Sequence, residues 1–439
     1  RVASPSRESQ RRSKLGPQEF DSFGSGGSMA QCLHPARLGP LCAVCGAMVG
    51  DGDAGTERVA LKGIKTGSAV RIDGAEAAHL ARGNSKRLLS KRKLSLVLDL
   101  DHTLVECTTD ARAAAVDGAF ALQLGDRKVS HWIKLRPGLA DLFGAVEALF
   151  ELAIYTAGSR EYAEAVAEVL EREFESIRFH GRIVSRDDCP DLTHQKELSR
   201  LFPGGARMAL VVDDRFDVWY RGPQAALVVV VRPFKFFQRF FAHPEAFTPE
   251  DDQLGYTRDV LRNAHAAFFA DGQEDAARDA SHALAAVRLP VLAGCRLVVH
   301  PPLDAGARLL AEASGAVVDA IVTAATTHVV TLDAAAPAAR SARGHVHVVH
   351  MDWLWFCMWR VRRESEARFY LVARTAAAPS SASAATPGDR TKRRRVDEAP
   401  EADARGAAAP EADAPEAAAP GLEAAAVPSG PPSGPPSTH

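Results

Sequence analysis

The sequence predicts an α/β protein built on an open, mostly parallel sheet, with a second and smaller α/β domain near the carboxyl end. The apolar run that starts at Leu94 is long enough for a buried strand and ends in the acids Asp99 and Asp101. A second apolar run, Met208–Val212, also ends in two acids. In such a sheet, ligands bind at the carboxyl ends of the strands. The fold class therefore already indicates where a functional site would lie.

Asp99 and Asp101 are one residue apart, so strand geometry puts both carboxylates on the same side of the chain. Phosphoryl transfer through an aspartyl-phosphate needs such a pair. Asp99 would attack phosphorus, while Asp101 would protonate the leaving oxygen and later take a proton from water. A magnesium ion would hold the nucleophile and the phosphate together. The alternative is structural, because acidic pairs after strands also serve as simple cation sites or helix caps.

The ends of later strands supply further groups that a phosphate site needs. Phe150–Tyr155 is a predicted strand that runs into Thr156, whose hydroxyl and neighbouring backbone amides suit a phosphate oxygen. A helix pattern follows from Glu161 to Leu170, with Ser159 as its cap. Lys196 lies between this strand and the next, where it would either neutralise a phosphoaspartate or be a solvated helix lysine.

Five segments in this order resemble the FCP/SCP-type phosphatases of the haloacid-dehalogenase superfamily: Asp99–Val105, Lys134–Gly138, Ile154–Ala163, Ser185–Cys189 and Val212–Trp219. The resemblance covers roughly residues 91 to 237. It implies a Rossmann-like, parallel-sheet haloacid-dehalogenase phosphatase domain. It also implies a substrate, the phosphorylated heptad repeats in the C-terminal domain of the largest RNA polymerase II subunit.

The resemblance implies a role for each matching residue. Asp99 matches the nucleophile. Asp101 matches the general acid/base, whose main-chain carbonyl also ligates magnesium. Thr156 and Lys196 match the phosphate-binding hydroxyl and the charge-neutralising lysine.

The remaining matches concern the metal and the substrate. Asp214 matches the last magnesium ligand, and Asp213 is a supporting acid beside it. Arg186 lies where family members present an arginine to the substrate phosphate, although an ion pair with one of the two acids that follow it is an almost equal alternative. Glu106 departs from the pattern, because many members carry a non-acidic residue there, and we expect it to add negative charge near the site.

The spacing between these segments predicts a compact, plant-like form. Only about two dozen residues separate Val105 from Trp132, which leaves room for a hairpin and not for an inserted lobe. We place the phosphatase domain at residues 91–270, including a trailing amphipathic helix that begins near Asp251.

Composition predicts an intracellular protein with more than one domain. A length of 439 residues corresponds to about two or three domains, and an apolar fraction of 46% is enough to fill their cores. With 53 basic and 55 acidic residues, the net charge does not indicate direct nucleic-acid binding. No apolar run reaches the roughly 18 residues that span a bilayer. We expect no membrane segment and no signal peptide. Residues 1–28 are predicted to be a disordered leader, either translated or an extension of the gene model, with Met29 as the candidate natural start.

Seven cysteines scattered along the chain argue against a disulfide scaffold and for a reducing compartment. Four side chains within residues 29–50, Cys32, His34, Cys42 and Cys45, have a spacing that could close a tetrahedral zinc site. The alternative is a loop of reduced cysteines with an unrelated histidine. Residues 51–90 are predicted to be a linker that ends in a helix.

A second α/β pattern follows a predicted linker over residues 271–288. Residues 289–375 resemble a BRCT domain, especially in the pair Gly315 and Ala316, the strand Thr327–Val330 and the buried-type Trp353. BRCT domains commonly bind phosphopeptides through the hydroxyl of a serine or threonine just after the first strand. Proline follows His300 here, and the missing hydroxyl argues against a conventional phosphate pocket. We therefore expect a partner-docking role toward a transcription factor or phosphoprotein, with basic contacts from Arg340 or Arg343.

The carboxyl tail, residues 376–439, is rich in alanine, proline, serine and glutamate and is predicted to be disordered. Its basic cluster, Lys392–Val396, is typical of a nuclear-import signal, and the alternative is a run of charge that only keeps the tail soluble. The sequence thus predicts a nuclear, magnesium-dependent serine/threonine phosphatase that regulates transcription. The alternatives are a BRCT-based scaffold with weak or lost activity and a phosphatase for another nuclear phosphoprotein.

Overall fold

A computed structural model describes residues 32, 34–38, 41–45, 47–49, 58–61, 70–125, 130–180, 182–189, 195–242, 250–272, 274–342 and 344–371. The predicted leader, the predicted tail with its basic cluster, and Arg343 lie outside these residues. All described residues fall within one compact unit. None of the helices in this part of the chain is long and apolar enough to cross a bilayer.

A small antiparallel sheet precedes the predicted phosphatase domain. Its strands are β1 (Ala36–Leu38), β2 (Leu41–Cys42), β3 (Arg58–Leu61) and β4 (Val70–Asp73), in the order β2-β1-β4-β3. We call it the N-terminal sheet. Helix α1 (Gly74–Ser90) follows β4 directly. It begins there because the Asp73 carboxylate accepts the Glu76 N–H at 2.8 Å and caps the helix. The predicted linker over residues 51–90 thus contains two strands as well as its predicted helix.

The central sheet is parallel, as predicted. Its strands are β5 (Leu94–Leu98), β9 (Phe150–Tyr155), β10 (Ile183–Val184), β11 (Ala209–Asp213) and β12 (Val228–Val230). Their order is β10-β9-β5-β11-β12, so β5 lies in the middle and is buried along its whole length. The register pairs Leu98 with Ile154 on one side and with Val212 on the other. The carboxyl ends of β5, β9 and β11 therefore lie side by side.

Helices and a smaller sheet surround this core. The helices are α2 (Leu139–Val146), α3 (Arg160–Glu173), α4 (Phe236–Ala242), α5 (Gln253–Phe268) and α6 (Ala280–Arg288). The strands β6 (Val105–Thr108), β7 (Ala119–Leu122) and β8 (His131–Leu135) form an antiparallel sheet in the order β6-β8-β7, which occupies the predicted compact insertion. Ser159 caps α3 as predicted, since its hydroxyl accepts the Tyr162 N–H at 3.3 Å. The predicted linker over residues 271–288 contains α6, whose apolar face is buried.

The second domain is the predicted smaller α/β unit, which we call the BRCT-like domain. Its parallel sheet has the order β14-β13-β15-β16, formed by β13 (Arg296–His300), β14 (Val317–Asp319), β15 (His328–Thr331) and β16 (His347–His350). Its helices are α7 (Ala305–Ala313), α8 (Pro337–Ser341) and α9 (Met351–Arg360). Trp353 is fully buried, as expected, and stacks on His328 with ring centroids 4.6 Å apart.

The BRCT-like domain packs closely against the predicted phosphatase domain. Gln253, at the start of α5, donates from Nε2 to the carbonyl of Trp359 in α9 at 2.7 Å. Arg360 pairs with Asp252 at 2.7 Å and lies 4.7 Å from the ring centroid of Tyr256. One cluster of buried apolar side chains runs through both domains. The two domains therefore share a core, which the sequence pattern of separate modules does not reveal.

Candidate active site

Three acids meet at the carboxyl ends of β5 and β11. The backbone N–H of Asp99 donates to the carbonyl of Val212 at 3.0 Å, which aligns the two strand ends. Carboxylate oxygens of Asp99, Asp213 and Asp214 all lie within 4.8 Å of one another. We call these three residues the acidic cluster. Because the apolar strands fix the backbone, the side chains are brought together by the central sheet.

Lys196 is buried against this cluster. Its ammonium donates to Asp99 Oδ1 at 2.7 Å, to Asp213 Oδ2 at 2.6 Å and to the carbonyl of Tyr155 at 3.0 Å. Its exposed fraction is 7%, which excludes the alternative of a solvated helix lysine. The buried indole of Trp219 donates to the same oxygen, Asp213 Oδ2, at 2.8 Å and so also fixes this carboxylate. Trp219 was missed as a site residue, since tryptophans usually pack in cores.

Burial has the largest effect on the pKa values of Asp99 and Asp214. Burial raises the pKa of Asp99 well above its usual value, and Lys196 only partly opposes this shift. Burial and the charge of Asp213 raise the pKa of Asp214 to about 6. Burial lowers the pKa of Lys196, but Asp213 and Asp99 outweigh it and raise the pKa overall. Negative charge exceeds the single ammonium, so the cluster fits a further cation.

Asp101 lies beside the acidic cluster and accepts a hydrogen bond from a residue of α3. The hydroxyl of Tyr162 donates to Asp101 Oδ1 at 2.5 Å. Burial raises the pKa of Asp101, and this hydrogen bond opposes the shift by favouring the carboxylate. Tyr162 was missed from the sequence, where it reads as an apolar position of α3. The available signal was its place in the first turn of a helix that begins beside a strand end.

A buried arginine supports the loop that follows β5. Arg136 is 1% exposed and donates to the carbonyl of Thr103 at 3.0 Å, to the carbonyl of Arg232 at 2.7 Å and to Asp251 at 3.1 Å. Asp251 also accepts the backbone N–H of Gln253, which contacts the BRCT-like domain. Polar contacts therefore connect the loop after β5 to the BRCT-like domain through Arg136.

Thr103 in turn positions Asp214. The Asp214 N–H donates to Thr103 Oγ1 at 3.0 Å, and this hydroxyl donates back to Asp214 Oδ1 at 3.3 Å. Thr103 was missed from the sequence, as was Arg136, although each belongs to a segment that carries the family resemblance. Their contacts span long sequence separations and are set by tertiary structure.

A cavity of about 450 Å³ opens above the acidic cluster. Thr156 lines it and is nearly fully buried, with Oγ1 accepting the Gly158 N–H at 3.0 Å. Arg186 also lines it and is exposed. Asp188 pairs instead with Arg160, and within the described part of the chain Arg186 forms no ion pair. The alternative of an ion pair with a neighbouring acid therefore does not hold among the described residues.

Glu106 does not add charge to the cavity as expected. It is buried in β6, and its Oε2 accepts the backbone N–H of Phe237 at 2.6 Å. The first amides of a helix lack intrahelical partners, so a carboxylate at the start of α4 satisfies them. Glu106 therefore holds α4 against the β6-β8-β7 sheet.

Two other predicted sites lie away from this cavity. Cys32, His34, Cys42 and Cys45 come together, with four ligand atoms within 4.8 Å of one another. We call them the Cys/His cluster. In the BRCT-like domain, Arg340 is exposed in the last turn of α8.

Known proteins are similar to this chain in sequence and in fold. A family model described as NLI interacting factor-like phosphatase matches residues 94–265, which contain the whole acidic cluster. The RNA polymerase II C-terminal domain phosphatase-like 4 of Arabidopsis thaliana is 30% identical over 366 residues, covering 74% of this chain and 79% of that protein. The chain belongs to the RNA polymerase II C-terminal domain phosphatase family.

Two further comparisons agree, although this chain spans less than a third of the full length of the first of these relatives. An RNA polymerase II C-terminal domain phosphatase of Schizosaccharomyces pombe is 35% identical over 227 residues, which is 47% of this chain and 30% of that protein. A solved structure of the fission yeast RNA polymerase II CTD phosphatase bound to beryllium fluoride matches with a TM-score of 0.59 and 25% identity. It covers 67% of this chain and 100% of that one. The predicted family and fold class are confirmed.

Proposed function

We propose that this chain is a magnesium-dependent phosphatase that removes phosphate from serine or threonine in the heptad-repeat C-terminal domain of RNA polymerase II. The observation that carries the proposal is the buried Asp99 carboxylate, fixed by Lys196 at 2.7 Å, beneath a cavity lined by phosphate-binding types of side chain. The names of the relatives support the substrate. Beryllium fluoride, bound in one relative, is a tetrahedral analogue of a phosphoryl group.

The acidic cluster fits a hard divalent cation, and family membership implies one. Asp99 and Asp214 would hold Mg²⁺ together with the main-chain carbonyl of Asp101, and Asp213 would support them. These are the oxygen donors that Mg²⁺ prefers. When bound, the cation offsets the repulsion between the nucleophile and the phosphate.

The reaction divides between two carboxylates. Asp99 attacks phosphorus, so that a bond from its oxygen to phosphorus forms as the bond to the serine oxygen breaks, and Asp101 gives that oxygen its proton. Water then attacks the aspartyl-phosphate while Asp101 takes a proton from it, which releases inorganic phosphate and restores Asp99. Lys196 orients the nucleophile, and Tyr162 orients the acid/base. The raised pKa of Asp101 suits a group that must give up a proton near neutral pH.

The substrate phosphate would contact Thr156 and Arg186. Thr156 lies at the end of β9, next to backbone amides of the turn that leads into α3. Arg186 is exposed on the cavity wall with its guanidinium available for a phosphate oxygen. We place this activity in the nucleus, where residues 392–396 would direct the chain, and we assign partner docking to the BRCT-like domain.

A scaffold that has lost turnover is the weaker alternative. The acids, the lysine and the threonine that the chemistry needs all converge on one cavity. A phosphatase for another nuclear phosphoprotein uses the same groups, because they contact phosphate and not the peptide. Substrate identity must therefore be tested on peptides.

Phosphate release from a panel of singly phosphorylated heptad peptides, with Mg²⁺, tests the proposal. We expect release from at least one peptide and a loss on the order of 10³-fold or more in Asp99→Asn. Phosphopeptides of unrelated sequence serve as the control for substrate class. Equal release from heptad and unrelated peptides would contradict the substrate, and undiminished release by Asp99→Asn would contradict the mechanism.

A further inference from the structure

The Cys/His cluster brings four soft or borderline donors to one point at the surface. The Sγ atoms of Cys32 and Cys42 are 3.9 Å apart, and Cys45 Sγ lies 3.4 Å from Nδ1 of His34. All four donor atoms lie within 4.8 Å of one another. The residues come from two chain segments, one before β1 and one that includes β2 and the turn after it.

These separations agree with the edges of a tetrahedral metal site. With Zn–S bonds near 2.3 Å and Zn–N bonds near 2.0–2.1 Å, two sulfurs lie about 3.8 Å apart and a sulfur and a nitrogen about 3.5 Å apart. A disulfide would need sulfurs about 2.05 Å apart, and all the cysteines are free. The geometry is therefore that of a metal site and not of a disulfide.

The backbone around Cys42 favours the thiolate that a metal requires. The N–H groups of Val44 and Cys45 both point to Cys42 Sγ, at 3.4 and 3.5 Å. Hydrogen bonds donated to sulfur stabilise its charged form. The turn after β2 thus stabilises the Cys42 thiolate, and it also carries a second cysteine, Cys45.

Little apolar packing holds these residues in place. Cys42 is buried, but Cys32 and His34 are half-buried and Cys45 is exposed. The strands β1 and β2 are only three and two residues long. A hydrophobic core does not account for the convergence of the four side chains, because short surface segments gain little from burial.

We propose that Cys32, His34, Cys42 and Cys45 bind one structural Zn²⁺ ion, which fixes the N-terminal sheet at the start of helix α1. Three thiolates and one neutral imidazole complete four-coordination without an open position, as in structural zinc sites. Each thiol that binds gives its proton to solvent. The site shares no residue with the acidic cluster, so the proposal stands apart from the proposed phosphatase activity.

The position of the site indicates which part of the chain a bound ion would order. The N–H of Asp73, the last residue of β4, donates to the carbonyl of Pro35 at 3.0 Å, directly after His34. Asp73 also caps α1, which leads into β5 and the nucleophile. Zinc at the Cys/His cluster would therefore order the segment that precedes the first strand of the central sheet.

Metal analysis of the full chain tests the proposal. After dialysis against metal-free buffer, we expect one zinc per chain in the wild type and in Cys189→Ser, and less than about 0.2 in Cys45→Ser and His34→Gln, since a three-ligand site binds far more weakly. Circular dichroism checks that each variant is folded. Zinc well below one per chain in folded wild type, even after incubation with Zn²⁺, would overturn the proposal, as would equal zinc in Cys45→Ser.

Cobalt substitution of the wild type gives a second readout that needs no variant. Co²⁺ bound by thiolates in a tetrahedral site has strong visible absorption and a sulfur-to-metal band in the near ultraviolet. We expect both features with Co²⁺ added to metal-free wild-type chain, and their loss on addition of Zn²⁺. A weak octahedral spectrum alone would place the cobalt on the carboxylates and overturn the proposal.

Discussion

The acidic cluster and the Cys/His cluster both gather metal-binding types of side chain, but their surroundings are opposite. Asp99 and Asp213 lie at the ends of central strands and are 6% and 1% exposed. Cys45 lies in an exposed surface turn. The acidic cluster carries hard oxygen donors around one fixed ammonium, whereas the Cys/His cluster carries sulfur and nitrogen with no such counter-charge among its four members.

The two clusters differ in how strongly packing positions their side chains, and this difference indicates whether a bound metal is needed for folding. The acidic cluster is positioned by buried strands, by Trp219 and by Arg136, so packing and hydrogen bonds hold its side chains in place. Hydrogen bonds of two short strands do not position the Cys/His cluster to the same degree. We therefore expect the first cluster to use its ion for chemistry and the second to use its ion for folding.

The largest expected effect separates the two clusters without a mutation. Dialysis of the full chain against metal-free buffer should abolish phosphate release, because Mg²⁺ dehydrates reluctantly and is bound through few protein ligands. Added Mg²⁺ should restore release, while the zinc content stays at one per chain throughout. Zinc lost in step with activity, or activity that survives dialysis, would break the distinction.

A smaller effect concerns the packing that supports the acidic cluster. Arg136→Gln removes one partner of a buried ion pair with Asp251, and we expect it to lower the free energy of unfolding by about 3–5 kcal/mol. Urea unfolding of the full chain measures this change. Arg112→Gln, at an exposed pair with Asp110, is the matched control and should change stability far less. Equal losses in the two variants would show that the Arg136 network does not support the site.

The partner of the acid/base gives a kinetic prediction. Tyr162→Phe removes the hydrogen bond to Asp101. We expect kcat to fall about tenfold with KM unchanged, because a hydrogen bond that contributes about 1.4 kcal/mol corresponds to a tenfold change in rate. The same change raises the pKa of Asp101, because the bond favours the carboxylate. Since the acid must be protonated to act, the basic limb of the kcat profile should move to higher pH.

The matched control for this variant is Tyr256→Phe. The Tyr256 ring stacks against Arg360 and lies outside the cavity. Its pH profile should coincide with that of the wild type. A fall in kcat without a shifted profile in Tyr162→Phe would mean that Tyr162 has a packing role only.

The smallest expected effect tests whether Glu106 contributes to the cation site. Glu106→Gln weakens a hydrogen bond to the start of α4, and we expect a loss of about 1–2 kcal/mol in stability. The Mg²⁺ concentration that gives half-maximal phosphate release should not change. A shift in that concentration would show that Glu106 acts on the cation site after all.

The sequence predicted the residues that stand at strand ends and missed those that act across the fold. Asp99, Thr156 and Asp214 follow apolar runs, and an apolar run with an acid after it is visible in one dimension. Tyr162 lies 61 residues from Asp101, so their hydrogen bond depends on where α3 packs. Glu106 was read as a charge near the site because sequence does not show that α4 begins beside it.

The same limit applies to the fold. The strand Phe150–Tyr155 was predicted with its observed bounds, since β-branched and aromatic residues and a following helix cap mark it. Helix α6 was read as a linker, because its alanine-rich sequence carries a weak apolar pattern and its burial comes from packing on other elements. The shared core of the two domains is likewise a tertiary property.

The most direct test of the account is to trap the covalent intermediate on Asp99. An aryl phosphate has a good leaving group, so Asp101→Asn should still form the aspartyl-phosphate but hydrolyse it slowly. Borohydride reduces an acyl phosphate to an alcohol, and peptide mapping locates the product. We predict homoserine at position 99 in Asp101→Asn with Mg²⁺ and aryl phosphate, and none in Asp99→Asn. Homoserine at another acid, or at none, would contradict Asp99 as the nucleophile.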